Sequence, residues 1–217
     1  MTTLIIARHG NTFSPDETPT RVGARTDLPL VEKGEAQARA LGRYLSEHDL
    51  LPDVAYSSTL QRTRQTAEIA LREAGVRLPV YALDIFDEID YGPDENQTED
   101  RVIGRIGKDA LAQWDSRAVV PDGWKADPDG IIRNWQRFAH DITKTHDTVS
   151  GDILDIDETI LVVTSNGIAR FAPYITGDFD TFSRNFPIKL KTGSVGILRY
   201  SEQCWQVEGW GIVPVLD

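Results

Sequence analysis

Two continuous apolar runs constrain the fold of this 217-residue chain more than any other feature of its sequence. They are residues 4–7 (LIIA) and residues 159–164 (TILVVT). Uninterrupted apolar runs of this kind are typical of strands that are covered on both faces, as in a parallel sheet between layers of helices. The sequence therefore predicts an α/β fold whose sheet contains both runs.

Helical periodicity fills the stretches between the predicted strands. The predicted helices cover residues 32–48, 60–74, 102–114, 131–142 and 168–175. Further strands are predicted at residues 54–56 and 80–83, and a closing hairpin at residues 194–200 and 204–207. This alternation predicts a three-layer α/β/α sandwich around a mostly parallel sheet.

Local sequence signals predict where the second helix begins and ends. Residues 57–59 (SST) are expected to cap the helix that begins at residue 60, and Gly75 is expected to end it. We expect one domain over residues 1–217, with a helical cap-like insertion at about residues 98–148.

The balance of charged residues limits the partners of the chain. Its 23 Lys and Arg residues against 34 Asp and Glu residues give a formal net charge of −11 at pH 7. Such a chain repels nucleic acid and anionic membranes at long range, so we expect neither as a partner. An anionic small molecule would need a local basic pocket.

Cysteine content and hydropathy set the expected compartment. Cys204 is the only cysteine of the sequence, so no internal disulfide and no cysteine-rich metal site can form. We expect no signal peptide and no membrane-spanning segment, because no stretch shows the required charge pattern or apolar length. A cytoplasmic location is the default expectation.

Chemistry-bearing residues follow the first apolar run directly. Arg8 and His9 stand at the carboxyl end of the predicted strand, where open α/β sheets bind ligands. A neutral imidazole is a nucleophile, and a guanidinium holds oxyanions in its planar fork, so the pair suits phosphoryl chemistry. The pair alone leaves a second interpretation open, in which both are ordinary loop residues.

Three further segments place candidate residues beside predicted strand ends. Arg62 lies in the first turn of a predicted helix, where free N–H groups favour anions. The turn around Asn166 joins a strand to a helix and is of the kind that cradles phosphate. A carboxyl group within residues 84–90 could protonate a leaving oxygen. Each has an ordinary alternative: a solvated arginine, a plain turn and a solvated acidic loop.

Taken together, these segments resemble the histidine phosphatase superfamily, the phosphoglycerate-mutase-like proteins whose signature is Arg-His-Gly at the end of the first strand. The matching segments are residues 8–10 (RHG), 23–30 (GARTDLPL), 56–67 (YSSTLQRTRQTA), 88–92 (EIDYG) and 192–195 (TGSV). The resemblance covers most of the chain, is weakest in the helical middle, and implies a phosphoglycerate-mutase-like fold.

The resemblance implies a catalytic role for His9 and for a carboxyl group in the acidic segment 84–90. His9 would attack the phosphorus atom and carry the phosphoryl group transiently. Glu88 would protonate the leaving oxygen and then activate the water that frees the phosphohistidine. Asp87 and Asp90 are neighbouring candidates for the same acid role.

The phosphoryl oxygens would be held by side chains around the nucleophile. Arg8 and Arg62 would bind them through charge-assisted hydrogen bonds, with Asn11 and Asn166 as further phosphate contacts. The family mechanism needs neither a metal nor an organic cofactor, so we expect none.

Asn166 departs from the family pattern, which has a second histidine directly before the glycine at the end of the later strand. An asparagine amide can donate a hydrogen bond to a phosphoryl oxygen, but it cannot carry the positive charge of an imidazolium. The remaining histidines, His48, His140 and His146, lie in or beside predicted helices and are not expected to substitute.

Three functions remain as hypotheses. The leading one is a phosphomonoesterase that hydrolyses a small phosphorylated metabolite. The second, which Asn166 favours, is a catalytically impaired protein that binds a phosphate ligand or has a regulatory role. The third is a phosphotransferase or mutase, against which Pro15 argues, because mutases tend to carry an asparagine near that position. We expect a small phosphomonoester as partner and a monomer or homodimer, since the closing hairpin offers an edge.

Overall fold

A computed structural model describes residues 1–144 and 157–216. Its strands are β1 (Thr2–Arg8), β2 (Val54–Ser57), β3 (Val80–Ala82), β4 (Glu158–Thr164), β5 (Val195–Ser201) and β6 (Cys204–Ile212). They form one sheet in the order β3-β2-β4-β1-β5-β6. Among the described strands, β5 alone runs opposite to the other five, so the predicted mostly parallel sheet is confirmed.

Helices fill the connections between the strands. They are α1 (Glu32–Glu47), α2 (Gln61–Glu73), α3 (Glu99–Ile106), α4 (Lys108–Arg117), α5 (Pro128–Lys144), α6 (Asn166–Ala169) and α7 (Phe179–Asn185). Short 3-10 helices lie at Asp84–Phe86, Gly92–Asp94 and Ala172–Thr176. Helix α7 is absent from the sequence prediction.

The two faces of the sheet bury different side chains, as the alternation along a strand requires. In β1, Leu4 and Ile6 join one apolar core, whereas Ile5 and Ala7 join the other. The core around Ile5 is completed by α1 and α2, for instance by Leu45. The core around Leu4 is completed by side chains of α3 to α7. The three-layer sandwich is therefore confirmed.

The predicted single helix over residues 102–114 is wrong, because two helices cover it. Gly107 separates α3 from α4 and has a φ angle of 82°. Glycine adopts this backbone region at little cost, whereas a helix interior requires a negative φ. The apolar periodicity continues across the break, which is why the sequence pattern does not reveal it.

The predicted helix over residues 168–175 is also interrupted. Helix α6 ends at Ala169 and is followed by a 3-10 helix that contains Pro173. Proline has no N–H to donate to the carbonyl four residues earlier, here that of Ala169, so the α-helical ladder stops. Gly177, with a φ angle of 76°, ends the segment as predicted.

The predicted cap of α2 is wrong as well. Leu60 occupies the N-cap position without a side-chain hydrogen bond, and the Asp27 carboxylate accepts the N–H of Gln61 at 2.7 Å. Ser58 accepts the N–H of Leu60 instead, at 3.2 Å. The capping group comes from a distant loop, which local sequence signals cannot show. Gly75 follows the helix with a φ angle of 73°, as expected.

The segment at residues 98–148, predicted as a cap-like insertion, reaches into the core of one face. Residues 145–148 lie outside the described residues. Val102, Trp114 and Trp135 from its helices are buried against the sheet, so the described part builds a layer of the sandwich. The division into one domain with an insertion stays a prediction.

The closing hairpin is longer than predicted and leaves β6 at an edge of the sheet. An edge of this kind offers unpaired backbone groups, but the oligomeric state stays a prediction. None of the described helices combines the length and the apolar character that crossing a membrane requires.

The core of the α1 layer provides a stability test. Leu45 is fully buried, whereas Leu51 is 44% exposed only six positions away. Leu45→Ala should lower the free energy of unfolding by about 2–5 kcal/mol, because it removes packed methyl groups and leaves a cavity. Leu51→Ala, the control, should change it by less than about 0.5 kcal/mol. Urea unfolding measures both, and equal effects would contradict this packing.

Candidate active site

Three parallel strands end at the same edge of the sheet and bring the predicted site residues together. Arg8 at the end of β1 pairs with Thr164 at the end of β4. The His9 N–H donates to the Thr164 carbonyl at 3.0 Å, and the Ser58 N–H after β2 donates to the carbonyl of Val163 at 3.1 Å. Residues that directly follow β1, β2 and β4 therefore share one edge, as the parallel arrangement predicts.

His9 is buried and held in one orientation. Its Nδ1 lies 2.7 Å from the carbonyl oxygen of Gly10. Because a carbonyl only accepts, Nδ1 carries the hydrogen and the neutral ring keeps its lone pair on Nε2. Burial, together with the positive charges of Arg62 and Arg8, lowers the pKa of His9 well below 6.5. The imidazole is thus a neutral base or nucleophile at neutral pH.

The backbone around His9 is packed too tightly for side chains at two glycines. A Cβ atom on Gly10 would collide with the carbonyl of Gly34, and one on Gly34 would collide with the carbonyl of Asn11. The Gly10 N–H donates to the Thr66 hydroxyl at 3.1 Å. Contacts with α1 and α2 therefore fix the loop that carries His9.

Arg62 is fully buried and Arg8 is partly buried, and backbone carbonyls anchor both guanidinium groups. Arg8 Nη1 donates to the carbonyl of Leu190 at 2.6 Å. Arg62 donates through Nη1 to Thr26 at 2.9 Å and through Nη2 to Gly23 at 3.3 Å. Burial lowers the pKa of both arginines, and Glu88 partly offsets this.

Both arginines keep one donor unused. The Nε of Arg8 and the Nε of Arg62 are buried and have no hydrogen-bond partner among the described residues. A buried unpaired donor costs about 1–3 kcal/mol, more when charged, so such groups are rare unless a ligand satisfies them. Arg62 is fully buried and does not line the cleft, whereas Arg8 does.

Glu88 brings a carboxyl group to the same place. Its Oε1 accepts the N–H of Ile89 at 2.9 Å, and its Oε2 accepts the N–H of Gly167 at 3.1 Å. A Cβ atom on Gly167 would overlap with this carboxyl group, which explains the glycine at the start of α6. Glu88 is buried and lines the cleft beside His9.

The neighbouring carboxylates are engaged elsewhere. Asp87 accepts hydrogen bonds from the backbone and the hydroxyl of Thr59, at 2.7–2.9 Å. Asp90 accepts from Gly92 and Arg25. Burial raises the pKa of Asp90, but these hydrogen bonds and a contact with Lys125 outweigh it, so the net shift is downward. Neither aspartate lines the cleft, so of the three predicted carboxylates only Glu88 does.

Asn166 is the first residue of α6 and lines the cleft. Its Oδ1 accepts the N–H of Leu190 at 2.9 Å, which fixes the orientation of the amide. The amide nitrogen, a donor only, is therefore the group left to face the cleft that Asn166 lines. Asn11 also lines this cleft, whereas its backbone binds Gln37 and Val31.

The cleft has a volume of about 550 Å³ and contains residues that the sequence analysis missed. Arg21, Tyr91, Trp114, Asp115, Arg170 and Lys189 belong to its walls. Arg170 follows Asn166 by four residues, about one helical turn, and this spacing could have placed it on the same side. The other positions are far apart in sequence and carry no such signal.

The other histidines lie away from the cleft or outside the described residues. His48 is exposed and stacks on Tyr44, with ring centroids 4.1 Å apart. His140 is exposed on α5. His146 lies outside the described residues. In the part of the chain that the structure describes, no group of three His, Cys, Asp or Glu residues is arranged to hold a metal ion.

Comparison with known protein families and relatives gives consistent results. The model of the histidine phosphatase superfamily (branch 1) matches residues 4–213. A 2,3-bisphosphoglycerate-dependent phosphoglycerate mutase of Mycobacterium tuberculosis (strain ATCC 25618 / H37Rv) is 31% identical over 174 residues, which are 80% of this chain. The mutase of the same name from Methylobacterium sp. (strain 4-46) is 34% identical over 132 residues, which are 60% of this chain. The chain spans 64% and 62% of these relatives, respectively.

Solved structures share the fold. A mycobacterial glucosyl-3-phosphoglycerate phosphatase in complex with VO3 has a TM-score of 0.73 at 18% identity, covering 96% of this chain and 98% of that one. The alpha-ribazole phosphatase from Shigella flexneri has a TM-score of 0.70 at 18% identity, covering 98% of both chains. YhfR of Bacillus stearothermophilus has a TM-score of 0.70 at 24% identity, covering 97% of both.

The environment of His9 makes its titration a direct test of the site. NMR should show its imidazole still neutral at pH 6.5, since burial and the two arginines disfavour a further positive charge. Arg62→Gln should raise the pKa of His9, whereas Arg184→Gln, at an exposed position on α7, should leave it unchanged. Protonation of His9 at or above pH 6.5 in the unaltered protein would contradict the described electrostatics.

Proposed function

The chain belongs to the histidine phosphatase superfamily, and we propose that it is a phosphomonoesterase that hydrolyses a small phosphorylated metabolite through a phosphohistidine at His9. The observation that carries the proposal is the buried, unpaired Nε–H group of Arg8, which lines the cleft together with the neutral imidazole of His9, while the charge of Arg62 acts on the same imidazole. A phosphoryl group bound in the cleft would give this donor an acceptor.

In the first step, the lone pair on His9 Nε2 attacks phosphorus and forms the N–P bond. The P–O bond to the leaving group breaks, and Glu88 gives its proton to that oxygen, so an alcohol departs. Arg8 and Arg62 stabilise the negative charge of the phosphoryl oxygens throughout. The Nδ1 hydrogen bond to Gly10 keeps the ring aimed and supports the positive charge that it gains.

In the second step, water attacks the phosphohistidine. Glu88, now ionised, takes a proton from the water as its oxygen bonds to phosphorus. The N–P bond breaks, its electron pair returns to His9, and inorganic phosphate is released. The hydrogen bonds from Ile89 and Gly167 hold the carboxyl group in one place for both proton transfers.

Asn166 makes the proposed enzyme slower than one with a histidine there. Hydrogen bonds from charged donors contribute about 1.5–3 kcal/mol net, against about 0.5–1.5 kcal/mol for neutral ones. At about 1.4 kcal/mol per decade of rate, the exchange costs roughly tenfold to a hundredfold. The amide nitrogen still offers one donor to the phosphoryl group.

A small substrate fits the size of the cleft. Its volume of about 550 Å³ lies in the range of roughly 300–1,000 Å³ that small-molecule sites have. The names of the solved neighbours, a glucosyl-3-phosphoglycerate phosphatase and an alpha-ribazole phosphatase, support phosphate release from small metabolites.

A phosphotransferase or mutase is the second candidate, because the curated relatives are named phosphoglycerate mutases. The ion pairs of the outer cleft speak against it. Arg21 is bound to Glu99 at 2.6 Å and Lys189 to Asp115 at 2.7 Å, so two of the cations that line the cleft are already paired with carboxylates. Pro15, which lines the cleft, offers no side-chain hydrogen bond to such a substrate.

Release of inorganic phosphate from an aryl phosphate between pH 5 and 8 tests the proposal. The unaltered protein should turn over, His9→Ala should be inactive, and Asn166→His should be roughly tenfold or more faster because a charged donor is restored. His140→Ala, at an exposed position, is the matched control and should retain full activity.

Other outcomes select the other candidates. Inactivity of the unaltered protein together with tight phosphate binding indicates a binding protein. Transfer of the phosphoryl group to an added alcohol in preference to water indicates a transferase. A phosphorylated protein that is labile to acid and absent in His9→Ala identifies the phosphohistidine, and its absence during turnover would contradict the mechanism.

A further inference from the structure

Arg170 is a fully buried arginine in the wall of the cleft. Its Nε donates to the carbonyl of Asn166 at 3.1 Å, and its Nη1 donates to the carbonyl of Trp114. The guanidinium carbon lies 3.9 Å from the centre of the Trp114 ring. Arg170 therefore connects the turn after β4 with helix α4, and no site motif recognised in the sequence includes it.

The charge of Arg170 is poorly neutralised. Asp115 lies beside it, with Oδ1 3.9 Å from Nη2, but Oδ2 of the same carboxylate is bound by Lys189 at 2.7 Å. Burial lowers the pKa of Arg170 to about 10, which still leaves the guanidinium protonated at neutral pH. A buried cation whose nearest carboxylate is shared with another cation is costly, and this cost is reduced when an anion binds next to it.

The electrostatic neighbours of Arg170 belong to the catalytic site. Burial and Arg8 oppose its charge, while Tyr91, Glu88 and Asp115 favour it. Arg170 is thus part of the same buried group of charges as the residues that contact the phosphoryl group in the proposed mechanism. It lies one helical turn beyond Asn166, the position at which the site has only a neutral donor.

We propose that Arg170 supplies the positive charge on the Asn166 side of the site and thereby stabilises the bound phosphoryl group. This inference rests on the proposed function, because it takes the anion in the cleft to be a phosphoryl group. Arg170 acts as a positioning residue: it holds the Asn166 turn through the backbone and adds its charge through space. The neutral amide of Asn166 makes the direct contact.

Binding of inorganic phosphate, followed by calorimetry, tests the inference independently of turnover. Arg170→Gln should weaken phosphate binding about tenfold, a loss of one decade in affinity. In the Asn166→His background the same substitution should cost less than about threefold, because the loss of Arg170 lets the new imidazole protonate more readily. An equal loss in both backgrounds would indicate a purely structural role and would overturn the proposal.

Matched variants separate charge from folding. Arg170→Lys keeps the charge but loses the planar donors, and it should recover phosphate binding to within about threefold of the unaltered protein. Arg184→Gln, an exposed arginine on α7, should bind phosphate as the unaltered protein does. If thermal melting shows that both variants are folded and Arg170→Lys binds phosphate no better than Arg170→Gln, the proposal is overturned.

A second substitution tests the inference if Arg170 variants do not fold. Asp115 is 42% exposed at its side chain, so its replacement leaves the core intact. In a Lys189→Gln background, Asp115→Asn should tighten phosphate binding by roughly twofold to fivefold, since it removes the carboxylate beside Arg170. Unchanged or weaker binding would contradict the proposed role. Loss of turnover with intact phosphate binding would refute the proposed function but not this role.

Discussion

Parallel pairing of β1 with β4 is the constraint on which the rest of the site depends. The pairing places Arg8 opposite Thr164, and the His9 N–H then bonds to the Thr164 carbonyl at 3.0 Å. One residue of slip would exchange the side chains that β1 sends into the two cores, so the packing of both cores fixes this register. His9 after one strand and Asn166 after the other therefore line the same cleft, although 157 positions separate them in the sequence.

Several charged side chains lie close together at this edge of the sheet, and hydrogen bonds to backbone carbonyls reduce the cost of burying them. Arg8, Arg62 and Arg170 donate to carbonyl oxygens of five different residues, while Glu88 is the buried carboxylate among them. Carbonyl dipoles orient the guanidinium groups without cancelling their charge, so the site keeps a positive potential in a low-dielectric setting. The surface of the chain is strongly acidic by contrast, with a net charge of −11.

Sequence reasoning predicts the parts of this molecule that local patterns encode. Continuous apolar runs and helical stripes predict the sheet and its layers, and strand ends predict where Arg8, His9 and Asn166 gather. The predictions fail where contacts are distant or where one residue overrides a pattern. Gly107 and Pro173 break helices whose apolar periodicity continues, and Asp27 caps α2 from another loop. The cleft walls could not be predicted because they join segments far apart in sequence.

The position of Asn166 separates what a phosphate site needs for binding from what it needs for rate. Its amide oxygen accepts the N–H of Leu190, which leaves the nitrogen as a neutral donor that, in the proposed mechanism, contacts the phosphoryl group without adding a charge. In a buried site, a charge close by acts over several ångströms, whereas a hydrogen bond requires contact. In our proposal, Arg170 supplies the charge and Asn166 supplies the contact, so the two properties are divided between residues four positions apart.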